Sequence, residues 1–183
     1  IQCVVNAIEW VSTKTRFSST SADIYFLGHS EGTQIAVRAY HEIMSKSPGV
    51  AKRVKALFLS GLVMQSWSDI INQQITDPVE NKKFWDAYKH QDDTALRSFG
   101  DLAYAYWADI LSTESNFETL KTLVQTQPLP VLQIYQGLQD SNTLAKPVME
   151  FETWNRNNVM LGLSSWKLQA RYYQAGHGLN IAA

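Results

Sequence analysis

The stretch Ile24-Tyr25-Phe26-Leu27-Gly28-His29-Ser30-Glu31-Gly32-Thr33 limits the folds open to this chain more than any other. An apolar run of β-favouring residues stops at a Gly-x-Ser-x-Gly, and Ile35, Ala36, Ala39, Tyr40 and Ile43 then follow at helical spacing. A serine at such a strand-to-helix turn is held in a strained conformation, its hydroxyl pushed out beyond the strand end. Gly28 and Gly32 are expected to remove side chains that would collide as strand and helix fold back on each other. Ser30 is therefore the candidate nucleophile. At ordinary Gly and Ser frequencies the pattern arises by chance about once in ~15 chains of this length. The rest of the chain has to supply the context.

It does so in order. Gln2 to Val11 reads as an amphipathic helix, and Ser18 to Ser21 as a loop. The strand Ile24–Leu27 is nearly all apolar and is expected to be buried on both faces, as central parallel strands are. Ser47-Pro48-Gly49 closes the helix after the elbow, and Lys55 to Leu59 is a second strand halted by Ser60-Gly61. Strand, helix and strand at this spacing form a βαβ unit and predict a parallel sheet. A third strand, Val131 to Tyr135, stops at Gly137-Leu138-Gln139-Asp140-Ser141, and Pro147 opens a helix through Phe151 and Trp154. Trp166 to Tyr173 alternates apolar and polar residues, which predicts an edge strand with one wet face. The fold class is α/β, a mostly parallel sheet flanked by helices.

Between the second and third strands the pattern is helical alone. Asp77-Pro78-Val79-Glu80 is a helix start, with Asp as N-cap and Pro at the first position. A second helical run covers Leu96 to Leu111, and a third holds Phe117, Leu120 and Leu123-Val124. The predicted division is thus a core of residues 1–63 and 128–183 with a helical insertion at 64–127.

Composition narrows the function classes. Hydrophobic residues at 45% and charged residues at 18% describe an ordinary globular chain. A net charge of −1 without a basic run gives no electrostatic footprint for nucleic acid. The single Cys3 excludes an internal disulfide and a cysteine-based zinc site, and no apolar stretch reaches the ~20 residues of a membrane span. Ile1 is not an initiator methionine, and helical spacing begins at once, so the expectation is a processed or truncated piece or a sequence that starts late. The compartment is unknown from these residues. The chain reads as soluble, and any signal would lie in the part not included.

Three of the four predicted strands are each followed by a residue of catalytic type: Ser30, then Asp140, then His177. In open α/β sheets sites form outside the carboxyl ends of the strands, so the three can converge although far apart in sequence. A serine hydroxyl is a weak nucleophile at neutral pH and needs a base within hydrogen-bond reach, the role assigned to His177. Asp140 would hold the imidazole in the correct tautomer and stabilise its cation. The backbone N–H of Glu31, at the helix start, is the natural first oxyanion donor. Blander readings stand beside these. Asp140 could be a turn or cap aspartate, His177 a flexible-loop histidine, and Glu31 a favourable charge in a first helical turn. His29 reads as pointing elsewhere on the elbow, structural or pocket-lining. His41 and His90 read as packed or solvated, and Asp109, the best rival to Asp140, lies in the insertion.

Gly28-His29-Ser30-Glu31-Gly32, Gly137-Leu138-Gln139-Asp140 and Ala175-Gly176-His177-Gly178 resemble the nucleophile elbow, acid loop and histidine loop of the α/β-hydrolase superfamily. The order Ser, Asp, His is also that superfamily's. The resemblance covers nearly the whole chain, as the family's C-terminal half: fifth strand, elbow, sixth strand, cap insertion, seventh and eighth strands. It implies hydrolysis of an ester, thioester or amide through an acyl-enzyme, with no metal or organic cofactor, in the manner of esterase-like or acyl-peptidase-like members. The family's first four strands, its Gly-rich oxyanion loop and most of the helix after the histidine loop have no counterpart here. The enzyme is therefore expected to be incomplete in this chain and to need the N-terminal half or a companion segment as partner. A lone piece would carry a raw apolar strand edge and be neither stable nor active.

Nine of the 21 Phe, Tyr and Trp residues lie between Trp67 and Phe117. A cap over the elbow would exclude water and supply an apolar pocket for a small-molecule ester or acyl substrate, and Trp67, Tyr104, Tyr106 and Trp107 are the candidates for substrate contact. Packing within the insertion's own core accounts equally for most of these rings. The function expected is that of a serine hydrolase, carboxylesterase-like, with a peptidase as the variant. The alternative is a non-catalytic homologue that binds a small ligand or a protein partner. Convergence of Ser30, His177 and Asp140 within hydrogen-bond reach separates the two.

Overall fold

The computed structural model describes residues 1–14, 22–113, 115–124, 130–163 and 167–178. In chain order the described elements are α1 (Gln2–Lys14), β1 (Ile24–His29), α2 (Glu31–Lys46), α3 (Pro48–Ala51), β2 (Val54–Ser60), α4 (Trp67–Gln74), α5 (Pro78–Lys89), α6 (Asp93–Arg97), α7 (Tyr104–Leu111), α8 (Asn116–Val124), β3 (Val131–Gly137), α9 (Ala145–Met160) and β4 (Leu168–Tyr173). They form two compact units, residues 1–64 with 116–183, and residues 65–115.

The first unit is built on a four-stranded sheet in the order β1-β2-β3-β4, every neighbouring pair parallel. The register sets His29 beside Ser60, Ser60 beside Tyr135, and Gly137 beside Tyr173. All four strands therefore run out at one edge, and the segments that follow them leave from the same side. One face of the sheet, with Phe26, Leu57, Leu59, Leu132 and Ile134, packs against Val5 of α1, Val37, Tyr40 and Ile43 of α2, Leu120 and Leu123 of α8, and Val148 and Phe151 of α9. Tyr40, Ile43, Leu57, Leu59 and Phe151 are fully buried, each worth roughly 1.5–3 kcal/mol relative to exposure. In β4, Leu168, Ala170 and Tyr172 turn to this core while Gln169 and Arg171 are exposed, as the alternation predicts. Trp166 lies outside the described residues.

Three sequence expectations need correction. β1 is not buried on both faces: Phe26 points into the core, whereas Tyr25 and Leu27, on the opposite face, are 60% and 84% exposed. Among the described residues β1 is an edge strand, as β4 is at the other side, and Leu27 has no helix over it there. α8 lies within the 64–127 stretch expected to be insertion, but Leu120 and Leu123 belong to the sheet core and the compact division falls at residue 115. The helical run from Leu96 to Leu111 is two helices. Gly100 (φ 130°) and Asp101 (φ 59°) break it, since these dihedrals lie outside the right-handed region.

The second unit has its own core, in which Phe84 is fully buried and meets Trp85, Phe99 and Trp107 edge-on at 5.0–5.4 Å between ring centroids. Three of its four described helix starts follow the capping rule: the Asp77 carboxylate accepts from the Val79 and Glu80 amides, and Ser66 and Asp92 cap α4 and α6, whereas Ala103 before α7 gives no side-chain cap.

The two elbow glycines are not equivalent. A Cβ on Gly28 would sit 2.5 Å from the Gly32 carbonyl oxygen and 2.8 Å from the Thr33 Cα, both rigid backbone of α2's first turn. A Cβ on Gly32 would meet nothing within 4 Å among the described residues, so the collision expected there is absent. Gly28→Ala should therefore push α2 off β1 and destabilise the protein by about 1–3 kcal/mol, the usual cost of overpacking. Gly32→Ala should be neutral or stabilising by up to about 1 kcal/mol through helix propensity. Urea unfolding midpoints of the two variants check this ordering, and a Gly32→Ala cost equal to that of Gly28→Ala would contradict it.

Candidate active site

Ser30 joins β1 directly to α2 with φ 54° and ψ −125°, a positive φ that costs a non-glycine residue about 1–3 kcal/mol. Neighbouring bonds hold it there. Its amide donates to the Ser60 carbonyl at 3.0 Å, continuing the β1–β2 ladder, and its carbonyl accepts from the Thr33 amide (2.9 Å) and hydroxyl (2.6 Å). Thr33, fully buried, in turn accepts from the Val63 amide at 3.1 Å, so the elbow is tied to the loop that follows β2. Glu31 is the first residue of α2, which places its amide beside the Ser30 hydroxyl at a helix N-terminus.

Asp140 lies in the loop after β3, 4% exposed. Its Oδ1 accepts from the amides of Asn142 and Thr143, both at 2.9 Å, which is the turn-aspartate pattern. Its Oδ2 accepts from the Thr143 hydroxyl at 2.5 Å, from His177 Nδ1 at 2.9 Å and, at 3.5 Å, from Gln136 Nε2. One carboxylate thus shapes a turn with one oxygen and holds an imidazole with the other, so the turn reading and the chemical reading do not exclude each other. Burial pushes this carboxyl up, but the bonds from the Thr143 hydroxyl and amide, from His177 and from Asn142 outweigh it and leave it below the ordinary aspartate value.

His177 follows β4 and completes the set. Its Nε2 is 2.9 Å from Ser30 Oγ and its Nδ1 is 2.9 Å from Asp140 Oδ2. An ionised carboxylate only accepts, so Nδ1 carries the proton and Nε2 is the acceptor for the Ser30 hydroxyl. The histidine loop is fastened to the acid loop by backbone bonds from Leu138 to Tyr173 (2.8 Å) and from Gln139 to Ala175 (3.0 Å). Gly137 permits that approach: a Cβ there would come within 2.7 Å of the Gly176 carbonyl oxygen and closer still to that of Ala175. The Ser30 hydroxyl, the His177 imidazole and the Asp140 carboxylate are therefore joined in series by hydrogen bonds, an arrangement that would let an imidazole take a hydroxyl proton while a carboxylate stabilises the resulting cation.

Several partners of this set were not singled out by the sequence. Gly61, at φ 58°, packs under the imidazole, and a Cβ there would meet both His177 Cε1 and the Thr143 hydroxyl at 3.3 Å. Gln136, fully buried, accepts from the Leu62 amide at 3.0 Å and donates to the Thr143 carbonyl at 2.6 Å, joining the loops after β2 and β3. A signal for Gln136 exists: it shares the strand parity of Leu132 and Ile134, so it is a polar residue on the core face. Asn116 donates to the Val63 carbonyl at 2.7 Å and completes the anchoring of the β2 loop. His29 does not point away from the site. Its ring centroid is 5.1 Å from that of His177, and its Nδ1 is 3.3 Å from the Ser60 hydroxyl.

The aromatic candidates lie in the second unit. Trp107 is 8% exposed within that unit's core, Trp67 and Tyr104 are partly buried against it, and Tyr106 is 37% exposed. Among the described residues no three His, Cys, Asp or Glu side chains are grouped to hold a metal ion, and no helix is long and apolar enough to cross a membrane.

No family model and no curated protein matches the sequence. Solved structures do match. The esterase Pf2001 of Pyrococcus furiosus aligns with a TM-score of 0.59 at 14% identity, covering 96% of this chain and 53% of that one. Lipase A of Candida antarctica aligns with a TM-score of 0.57 at 12% identity, covering 95% and 48%. The monoacylglycerol lipase of Paleococcus ferrophilus gives a TM-score of 0.50 at 10% identity, covering 96% and 65%. At such identities the likeness is one of fold. The chain spans about half the length of the first two of these structures. Its four-stranded parallel sheet with flanking helices has the fold of the α/β-hydrolases.

Proposed function

We propose that the protein is a serine hydrolase that cleaves an ester, or a thioester or amide, through an acyl-enzyme formed on Ser30. The observation that carries this reading is the pair of 2.9 Å bonds that join one imidazole to the Ser30 hydroxyl and to the Asp140 carboxylate.

In the proposed reaction His177 Nε2 takes the Ser30 proton as Oγ attacks the carbonyl carbon of the substrate. Asp140 keeps Nδ1 protonated and stabilises the imidazolium. The Glu31 amide, at the head of α2, is the donor we assign to the oxyanion of the tetrahedral intermediate. The imidazolium then protonates the leaving alcohol, thiol or amine, and the C–O, C–S or C–N bond breaks. Water, deprotonated by the same nitrogen, attacks the acyl group and returns Ser30 to its hydroxyl form. No metal or organic cofactor enters these steps. The esterase and lipase names of the matched structures agree with an ester as the first substrate to try, and a small apolar acyl ester is our choice.

Hydrolysis of p-nitrophenyl acetate and butyrate by the full-length protein tests the reading. Ser30→Ala and His177→Ala should each lower kcat/KM by about 10³-fold or more, and Asp140→Asn by roughly 10²–10⁴-fold. Turnover that survives Ser30→Ala with the protein folded would overturn the assignment and favour the binding alternative.

The buried carboxylate also sets a dependence of stability on pH. Because the folded Asp140 titrates below its unfolded value, its contribution is fully present above the unfolded value of about 4 and is lost as pH falls through the folded one. Asp140→Asn removes this dependence. The stability difference between wild type and Asp140→Asn, measured by urea unfolding, should shrink as pH is lowered below about 4. A difference that does not change with pH would contradict the charged, bonded state of Asp140.

A further inference from the structure

We propose that Thr143 is a positioning residue whose hydroxyl, by donating to the same Asp140 oxygen that holds His177, limits how strongly that oxygen stabilises the imidazolium. The inference rests on the serine-hydrolase reading above and assigns a determinant of its base strength.

The crowding on one oxygen is the starting point. Oδ1 of Asp140 is occupied by two backbone amides and is fixed by the turn. Oδ2 is shared between the Thr143 hydroxyl at 2.5 Å and His177 Nδ1 at 2.9 Å. The carboxylate cannot donate, so the hydroxyl hydrogen points at Oδ2 and its direction is settled by chemistry. Donors to an ionised oxygen draw on the same charge, and a short O–H donor leaves less of it for the imidazole. Thr143 Oγ1 also lies 3.5 Å from Nδ1, too far for a good bond but close enough that the two donors face one oxygen side by side.

The threonine is held for this task. It is 4% exposed, its amide donates to Oδ1, its carbonyl accepts from the buried Gln136, and its hydroxyl packs over the Gly61 Cα. A valine has the same shape and would fill the site equally well. Only the hydroxyl distinguishes the two. Without it the charge on Oδ2 is turned on His177 alone, the imidazolium is stabilised further, and the pH at which the base becomes protonated rises. Of the other titratable groups near the imidazole, His29 lies beside its ring and Glu31 follows Ser30 at the head of α2. Both stay unchanged in the variants below and shift neither comparison.

The test is the rate at which a fluorophosphonate labels the full-length protein, measured from roughly pH 5 to 9, across the range in which histidine titrates. Labelling of wild type that vanishes in Ser30→Ala establishes the nucleophile first. Its absence would remove the hydrolase reading, and this inference with it, before any Thr143 variant is compared. Given labelling, Thr143→Val should move the acid limb of the profile upward by about half a pH unit. Thr143→Ser, which keeps the hydroxyl, should retain the wild-type midpoint. A Thr143→Val protein that labels with an unchanged midpoint would overturn the proposal, whatever its rate, because a purely structural role lowers the rate at every pH alike. A Thr143→Ser protein shifted as far as Thr143→Val would overturn it too. If circular dichroism shows Thr143→Val unfolded, Thr143→Ala decides by the same shift or its absence.

Discussion

A carboxylate taken out of water must be met by donors, and much of the first unit's loop architecture is the answer to that requirement at Asp140. The Asn142 and Thr143 amides, the Thr143 hydroxyl and the His177 imidazole supply it, with Gln136 at the limit of reach. Satisfying Oδ1 folds the chain after β3 into a turn. Satisfying Oδ2 draws in the segment after β4, which Gly137 lets approach to backbone contact. Gln136 then binds the turn to the loop after β2. Removing the charge would leave several donors facing an empty centre.

The strain at Ser30 is the counterpart of this network at the other end of the imidazole. A positive φ on a residue with a side chain persists only where the surroundings over-determine it. Here β2 holds the Ser30 amide, Thr33 holds its carbonyl, and Gly28 lets α2's first turn lie close against the strand end. The serine hydroxyl is thereby fixed at 2.9 Å from a histidine that lies 147 residues further along the chain. The parallel register brings them together: each strand ends at the same edge of the sheet, so distance along the sequence becomes proximity in space.

Ser30 and Asp140 were legible because each follows an apolar run, and His177 because it follows an alternating one; parallel strands deliver such residues to one edge. The four strands were legible for the same reason, to within a residue or two at their ends. Thr143 and Gly61 were not, since what they do depends on which loops lie beside them, and no local pattern carries that; Gln136 shows in its strand parity only as a polar residue on the core face. Helical periodicity showed α8 but not its partner, because an apolar stripe fits the sheet core as well as an insertion. Apolar content put Tyr25 and Leu27 inside; strand alternation separates them from Phe26, but only the arrangement of neighbours decides which face is covered.

The central claim is that Ser30, among all the serines of this chain, is made nucleophilic by His177. Peptide mapping after reaction with a fluorophosphonate tests it most directly, because the tryptic peptide from Phe17 to Arg38 holds Ser18, Ser19 and Ser21 as internal controls. The account predicts one phosphonyl group, on Ser30, and none on the other three. A modification spread over those serines, or confined to a residue other than Ser30, would contradict it.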